Sequence, residues 1–174
     1  TIRLCQRSSR SFEKLLSERI EKSMTDTEKT RNIFLQKIME QYDIDFRNTG
    51  IEHTFAVVHF STLLAKQKNE RLDLAQIASY LHDIAYYTSH YEGNHAKRSA
   101  DMAKTILETA THLSPAEIEV VIQAIAHHSD KDKIHDGLCE ILKDADVLAH
   151  ALNTPSEFLK EVEKKRWQNI HLSK

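Results

Sequence analysis

The stretch Tyr80-Leu81-His82-Asp83-Ile84-Ala85 places an imidazole beside a carboxylate in an apolar helical pattern. Neighbouring side chains on a helix point about 100° apart, so both groups can reach one cation held against that helix. Imidazole and carboxylate together suit borderline and hard divalent metals, and the lack of thiolates disfavours a soft structural site. The pair alone says little, but His53 lies upstream and Asp144-Ala145-Asp146 lies downstream. The chain therefore has the order H…HD…D, spread over three predicted helices.

The composition predicts an almost entirely helical protein. The 174 residues include 3 glycines and 2 prolines, which is few for a fold made of many turns. Strand-like alternation is absent, and apolar residues recur at spacings of three and four. A chain of this length fits one domain with a sizeable core. We therefore predict a single all-α domain.

The apolar spacing also predicts where the helices lie. The segment at 51–68 is apolar nearly all round at its start, which is typical of a buried helix, and His53 lies on one of its inward faces. Ser114-Pro115-Ala116-Glu117 is a capping box with proline in the first helical position. Residues 43–50 and 86–93 are predicted to be connections. The predicted helices span about 11–24, 27–42, 51–68, 73–85, 94–110, 115–128 and 138–152, with a charged final helix opened by Thr154-Pro155-Ser156-Glu157.

Charge and cysteine content exclude several classes of protein. The net charge of −2 gives no global attraction to nucleic acid or acidic membranes. Cys5 and Cys139 are too few for a disulfide framework or a cysteine-rich zinc module, so a reducing, cytoplasmic location is expected. No apolar run approaches the roughly 18 to 20 residues that span a bilayer. Residues 1–11 carry three arginines and several serines, and a native segment, a targeting peptide and a cloning remnant all remain open.

Five of the 11 histidines stand where a helical pattern would bury them. His53, His82 and His95 lie on apolar helix faces or at their starts, and His127-His128 end a helix whose apolar stripe His128 continues. Burying imidazoles and carboxylates without compensation is costly for each charged group. A cation at their centre would hold the carboxylates ionised and the imidazoles neutral. A web of His–Asp hydrogen bonds in the core is the alternative.

This arrangement resembles the HD-domain superfamily of metal-dependent phosphohydrolases. The resemblance covers about Ile51 to Leu152 and rests on Glu52-His53-Thr54, on Tyr80-Leu81-His82-Asp83-Ile84 and on Ile141-Leu142-Lys143-Asp144-Ala145-Asp146-Val147-Leu148. It implies an HD-domain-like bundle of about seven to eight helices. In this single domain, residues 51–152 form the metal-binding part, residues 1–50 pack on it, and residues 153–174 form a C-terminal helix.

The resemblance also implies which residues hold a metal and do chemistry. Helical periodicity places Asp144 and Asp146 about equally close to the apolar stripe of their helix. The choice of Asp146 as the ligand therefore comes from the resemblance, with Asp144 as a supporting partner. The catalytic residues would be His82 and Asp83. The implied ligands of a divalent metal (Mn, Fe, Co, Ni, Zn or Mg) are His53, His82, Asp83 and Asp146.

Some branches of the superfamily carry more histidines and hold two metals bridged by the Asp of the HD pair. Similar histidines occur here in Asn94-His95-Ala96-Lys97-Arg98 and in His127-His128. Carried over, they would place Asp83, His95, His127 and His128 around a second metal or a phosphate-binding wall. The chain departs from the branch that cleaves cyclic dinucleotides, because Ser129-Asp130-Lys131 follows the His pair without a Gly-Tyr-Pro element. Cyclic-dinucleotide specificity is therefore in doubt, and the second metal stays open.

The function that the resemblance implies is hydrolysis of a phosphoester by metal-activated water. We expect a small phosphorylated substrate, with nucleotides as the first class to test, since the scattered basic residues offer no track for a nucleic-acid polymer. No membrane partner is expected, and homodimerisation is open. The expected substrate contacts are Tyr86, Tyr87, Tyr91, Lys97 and Arg98. For each of these residues, the alternative is a solvated position on the protein surface.

Two other functional classes remain open at this point. A similar His/Asp cage can bind two irons and activate oxygen, as in HD-type oxygenases. A non-catalytic sensor could bind a nucleotide and metal without turnover, although its intact H…HD…D set counts against this. Phosphate release under nitrogen would indicate a hydrolase, whereas iron content with oxygen consumption would indicate an oxygenase.

Overall fold

The computed structural model describes residues 23–155 and 159–170, and every helix or strand assigned within them is an α-helix. This confirms the predicted all-α class. The predicted helix at 11–24 lies almost wholly outside the described residues. The helices are α1 (Asp26–Met39), α2 (Ile44–Lys68), α3 (Leu72–Leu81), α4 (Ile84–Ser89), α5 (His95–Ala110), α6 (Pro115–His127), α7 (Leu138–Asn153) and α8 (Glu161–Asn169).

The predicted capping box opens α6. The backbone N–H of Ser114 donates to Glu117 Oε2 at 2.8 Å, the backbone N–H of Glu117 donates to Ser114 Oγ at 3.4 Å, and Pro115 takes the first helical position. These contacts satisfy backbone donors that the helix itself leaves free. The second predicted cap, at 154–157, lies partly outside the described residues. The final helix begins at Glu161.

The prediction of a connection over residues 43–50 is wrong, because α2 begins at Ile44 and runs through Gly50. Asp43 caps it by accepting a hydrogen bond from the backbone N–H of Phe46 at 3.0 Å. Gly50 is buried, and a Cβ atom there would lie 2.6 Å from Ile38 Cδ1 and 2.7 Å from Tyr87 Cε1. The glycine therefore marks a close approach of neighbouring side chains to the helix and not a turn.

The predicted helix over 73–85 also needs correction. It is interrupted at the His-Asp pair, because Asp83 adopts φ −113° and ψ 16° between α3 and α4. The predicted connection at 86–93 is correspondingly half helical, since α4 continues to Ser89 before the chain turns at His90 with φ 55°. We call residues 82–83 the HD turn. It frees both side chains from the regular spacing of one helix.

Two apolar clusters flank the HD turn. The larger one joins α2, α3, α5, α6 and α7 and contains fully buried residues such as Leu81, Leu107 and Ile141. The smaller one joins α1, α2, α3 and α4 around Phe34 and Ile38. Full burial of each large apolar side chain stabilises the fold by roughly 1.5–3 kcal/mol. The clusters hold α2, α3 and α7 against one another where the predicted metal ligands lie.

Two observations bear on the expected environment of the protein. No helix among the described residues is long and apolar enough to cross a membrane. Cys139 is a free, partly buried thiol, and Cys5 lies outside the described residues. The cytoplasmic location stays a prediction.

Candidate metal centre

Four of the predicted ligands converge at the HD turn, and we call them the first group: His53, His82, Asp83 and Asp146. His53 comes from α2 and Asp146 from α7. His53 Nε2 lies 3.2 Å from His82 Nε2 and 3.1 Å from Asp146 Oδ1. His82 Nε2 lies 3.3 Å from Asp83 Oδ2, and the distances from His53 to Asp83 and from His82 to Asp146 are 4.0 and 3.9 Å. Side chains from three separate parts of the chain thus place their ligand atoms around one point.

The first group has the donor spacing and the chemistry of a metal site. Donors about 2.1 Å from one cation lie about 3.0 Å apart at right angles and about 3.4 Å apart at tetrahedral angles. Asp83 Oδ1 and Asp146 Oδ1 are buried and without a hydrogen-bond partner within the described part of the chain. Imidazole nitrogens lie 3.2 Å from Asp83 Oδ1 and 3.1 Å from Asp146 Oδ1, so each oxygen faces a ring nitrogen without a hydrogen bond. Buried, unsatisfied carboxylate oxygens are costly, and a divalent cation would satisfy them.

A second group uses the other oxygen of Asp83 and consists of Asp83, His95 and His128. Asp83 Oδ1 lies 3.4 Å from His95 Nε2 and 3.2 Å from His128 Nε2, and these two nitrogens are 3.2 Å apart. Ser129 Oγ lies 3.1 Å from His95 Nε2. Asp83 therefore belongs to both groups, with Oδ2 towards the first and Oδ1 towards the second. This carboxylate could bridge two cations.

Three of the histidines are oriented in the same way. The Nδ1 atoms of His82, His95 and His128 lie 2.7, 2.9 and 2.7 Å from the backbone carbonyl oxygens three residues earlier. A carbonyl oxygen accepts, so Nδ1 carries a proton, and in the neutral ring Nε2 presents its lone pair to the group. Such support behind a ligand fixes the ring and raises its basicity. The backbone turns before these residues thus prepare three imidazoles for a cation.

The electrostatics of the first group keep its carboxylates ionised. Burial by itself would lower the pKa of His82, but Asp83 and Asp146 raise it to about 9. Burial would raise the pKa of Asp83, yet His82 and His128 hold it well below its usual range. Lys131 and His53 do the same for Asp146. Without a cation, His82 therefore carries a second proton, on Nε2, at neutral pH, in the place where a cation would act.

Asp146, and not Asp144, lies beside the histidines of the first group. Asp144 Oδ1 instead accepts from Arg166 Nε at 2.7 Å, and its Oδ2 lies 3.5 Å from Lys68 Nζ. These two cations hold Asp144 on the outer side of α7. The geometry thus distinguishes Asp144 from Asp146, which helical periodicity could not do.

His127 is not brought to the second group, although sequence reasoning placed it there with its neighbour. Its Nδ1 lies 3.1 Å from Asp130 Oδ2, and its ring stacks on His135 with centroids 4.2 Å apart. His135 Nδ1 lies 2.5 Å from Lys143 Nζ. Because lysine only donates, the neutral His135 ring carries its proton on Nε2 and has no free lone pair for a cation. This cluster is a weaker candidate than the two groups that share Asp83.

A cleft of about 430 Å³ opens beside both groups. Asp83, Asp146, His95 and His128 contribute to its wall, and α8 forms the opposite side. Of the five predicted substrate contacts, Tyr86 lines this cleft. Tyr91, Lys97 and Arg98 are not among the lining residues in the described ranges.

The other predicted substrate contacts have structural partners or face elsewhere. Tyr87 is 5% exposed, and its ring packs 5.8 Å from that of Phe46. Arg98 donates to the Tyr91 carbonyl oxygen at 2.9 Å and lies 5.2 Å from the centre of the Tyr91 ring. Lys97 is exposed at a separate, more open cavity on the other side of His95.

Sequence reasoning missed three residues of the cleft: Lys131, His150 and Glu163. Lys131 Nζ donates to Asp146 Oδ2, and His150 Nδ1 donates to Glu163 Oε1 at 2.8 Å. His150 follows Asp146 by four residues, so the helical period could have placed both on one face of α7. Lys131 and Glu163 lie in other parts of the chain and gave no comparable signal.

Comparisons with known proteins indicate the family of the chain. The family model described as "HD domain" matches residues 50–151. Ribonuclease Y of Oceanobacillus iheyensis is 28% identical over 130 residues, which are 71% of this chain and 23% of that protein. Ribonuclease Y of Staphylococcus epidermidis strain RP62A is 30% identical over 91 residues, 51% of this chain and 16% of that protein. The chain thus spans less than a quarter of the length of these relatives.

A solved structure extends the comparison to the fold. The crystal structure of a "predicted HD superfamily hydrolase" from an uncultured Thermotogales bacterium matches with a TM-score of 0.60 and 25% identity, covering 87% of both chains. The family model covers more than half of the chain, and its span contains both groups of ligand atoms. The chain therefore belongs to the HD-domain family.

Proposed function

We propose that this protein hydrolyses the phosphoester of a small phosphorylated molecule, with nucleotides as the first class of substrate. The observation that carries the proposal is the pair of ligand groups that share Asp83 at the wall of one cleft. Divalent cations bound by such groups lower the pKa of water to supply a nucleophile near neutrality and neutralise phosphoryl oxygens. The first group would hold one cation, and Asp83, His95 and His128 a second.

The remaining cleft residues suit the recognition of a phosphate. Lys131 Nζ is nearly buried and bonded to Asp146, which fixes a positive charge beside the first group. A substrate phosphate placed against the cleft wall could share this charge, since lysine binds phosphate as a point charge. Lys160 lines the cleft on the side of α8. Tyr86 offers an aromatic surface for a base or another apolar portion.

The size of the cleft and the net charge of the chain favour a small molecule over a long polymer. A volume of about 430 Å³ is within the range of small-molecule sites. The net charge of −2 and the interspersed acidic residues offer no extended basic track along which a polyanion could release counterions.

RNA is the second candidate substrate, and the relatives favour it. The two matched proteins are named as ribonucleases, and their matched segments overlap the HD domain. An RNA phosphodiester needs the same cation-assisted attack by water as a nucleotide ester. The two candidates differ in how much substrate lies outside the cleft, and therefore in the salt dependence of binding.

The experiment is a hydrolysis screen under nitrogen with added Mn²⁺, Co²⁺ or Mg²⁺. Its substrates are nucleoside mono-, di- and triphosphates, other phosphomonoesters and a short single-stranded RNA. We expect phosphate release from a small substrate that a chelator abolishes and an Asp83→Ala variant lacks. Cleavage of RNA with no turnover of small esters would favour the second candidate. Oxygen consumption by an iron-loaded protein without any phosphoester hydrolysis, or no turnover at all, would contradict the proposal.

A further inference from the structure

His150 stands at the mouth of the cleft, one helical turn after Asp146 on α7. Its Nε2 lies 3.8 Å from Asp146 Oδ1, and its ring stacks on that of His53 with centroids 4.8 Å apart and planes at 25°. One ligand atom from each of His53, Asp146 and His150 lies within 4.8 Å of the others. The 3.8 Å between His150 Nε2 and Asp146 Oδ1 is compatible with donors to one ion, since donors on opposite sides of a cation lie about 4.2 to 4.4 Å apart.

Glu163 on α8 sets the orientation of the His150 ring. Its Oε1 accepts from His150 Nδ1 at 2.8 Å, while its Oε2 accepts from the backbone N–H of Lys160 at 3.1 Å. Glu163 is 6% exposed, so the carboxylate has little alternative solvation. With a proton on Nδ1 directed at Glu163, the Nε2 atom of His150 faces Asp146. A carboxylate behind an imidazole in this way is typical of metal-ligating histidines.

Asp146 provides an independent sign that a ligand belongs here. Its Oδ2 is bonded to Lys131, but its Oδ1 is buried without a hydrogen-bond partner among the described residues. That oxygen is the atom nearest to His150 Nε2 in the ion pair between the two residues. A carboxylate oxygen and imidazole nitrogens that face one point, with no hydrogen bond donated to that oxygen, are the donor set of a borderline divalent cation.

We infer that His150, positioned by Glu163, is a fifth metal ligand of the first group, and that α8 thereby takes part in building the metal centre. The inference rests on the metal centre of the proposed function but not on its substrate. It assigns Glu163 two roles, as the cap of α8 and as the orienting carboxylate behind a ligand. The contact between α8 and α7 would then strengthen cation binding.

The test measures Co²⁺ binding to the full chain by calorimetry and visible absorption, in a His128→Ala background that weakens the second group. His150→Gln keeps a donor for Glu163 but removes the imidazole, and Glu163→Gln keeps an acceptor but removes the charge. We expect His150→Gln to weaken Co²⁺ binding about 10- to 100-fold and to change the absorption spectrum of the bound ion. Glu163→Gln should shift the affinity in the same direction by less.

The matched controls make the same substitutions at sites away from the cleft. His59 is exposed on α2, and Glu161 on α8 pairs with Lys164 at 2.8 Å. His59→Gln and Glu161→Gln should leave Co²⁺ affinity and spectrum unchanged. If His150→Gln and Glu163→Gln both match the parent protein in affinity and spectrum, the inference is overturned and the proposed function stands. If the parent protein itself binds no Co²⁺, both are overturned.

Discussion

At the scale of single residues, Asp83 determines how the site is organised. Its two oxygens face different groups of imidazoles, with Oδ2 3.3 Å from His82 and Oδ1 3.2 Å from His128. A helical aspartate would have a fixed direction relative to its neighbour. Because Asp83 lies in the turn between α3 and α4, its carboxylate can reach both groups.

Replacing Asp83 by Asn should therefore affect both cation positions. The amide keeps the volume of the side chain but loses the charge and offers one oxygen ligand in place of two. We expect bound metal to fall and phosphoester turnover to drop more than about 100-fold, beyond the effect usual for supporting partners of ligands. Metal analysis and phosphate release measure the two effects. Asp144→Asn is the control, and equal losses in both variants would contradict the assignment.

The proton that the metal-free protein holds on His82 Nε2 predicts a pH dependence of metal binding. Asp83 and Asp146 raise its pKa to about 9, so the metal-free protein holds this proton at neutral pH. A ligating imidazole must be neutral, and binding therefore releases the proton. Metal affinity should rise with pH, by up to about tenfold per unit, until the pH passes about 9. Calorimetry at pH 7 in two buffers of different ionisation enthalpy counts the released protons, and a count of zero would refute the prediction.

At the scale of elements, the length of α2 is decided by its neighbours. Gly50 looks like a helix breaker in the sequence, yet it lies within 25 residues of continuous helix. The side chains of Ile38 and Tyr87 occupy the space that a Cβ atom would need, at 2.6 and 2.7 Å. Both are buried, so neither can move aside freely.

Substituting Gly50 by Ala tests this packing. Alanine should gain about 1 kcal/mol in helix propensity but lose about 1–3 kcal/mol through overpacking. We expect the overpacking to dominate, and the free energy of unfolding to fall in chemical denaturation. The double variant Ile38→Val/Gly50→Ala removes one of the clashing atoms and should lose less than the two single effects added together. A Gly50→Ala variant more stable than the wild type would show that Ile38 and Tyr87 leave room for a Cβ atom at this position.

At the scale of the whole molecule, the metal centre joins elements that are distant in sequence. The first group joins α2 and α7 to the HD turn, and the second group adds the start of α5 and the end of α6. In the metal-free protein the buried carboxylates are balanced by a protonated His82 and by Lys131. A bound cation would replace this balance with direct bonds across the fold.

Cation binding should therefore raise the melting temperature of the protein. A ligand at about 100 times its dissociation constant stabilises the native state by about 2.7 kcal/mol. For a chain of this size that corresponds to a shift of about 5 to 10 °C. Thermal melts with Mn²⁺ and with a chelator measure it, and Asp83→Asn should lose most of the shift. Equal melting temperatures with and without metal in the wild type would contradict a cation that joins these helices.

The sequence alone determined the fold class, most of the helices and the four residues of the first group. Capping at Ser114 and the spacing of apolar residues are local signals, so they could be read without knowing the neighbours. The order of His53, His82, Asp83 and Asp146 is linear information that a family resemblance can recognise. These features do not depend on how the helices pack.

The tertiary structure alone decided the break at the HD turn, the helix through Gly50 and the absence of His127 from the second group. The sequence neighbours His127 and His128 point to different partners, because His128 faces Asp83 and His127 faces Asp130. Lys131 contacts Asp146, since the packing of α7 against the segment after α6 brings them together. Contacts between distant residues depend on the relative positions of whole helices, and no local pattern of apolar and polar residues encodes those positions.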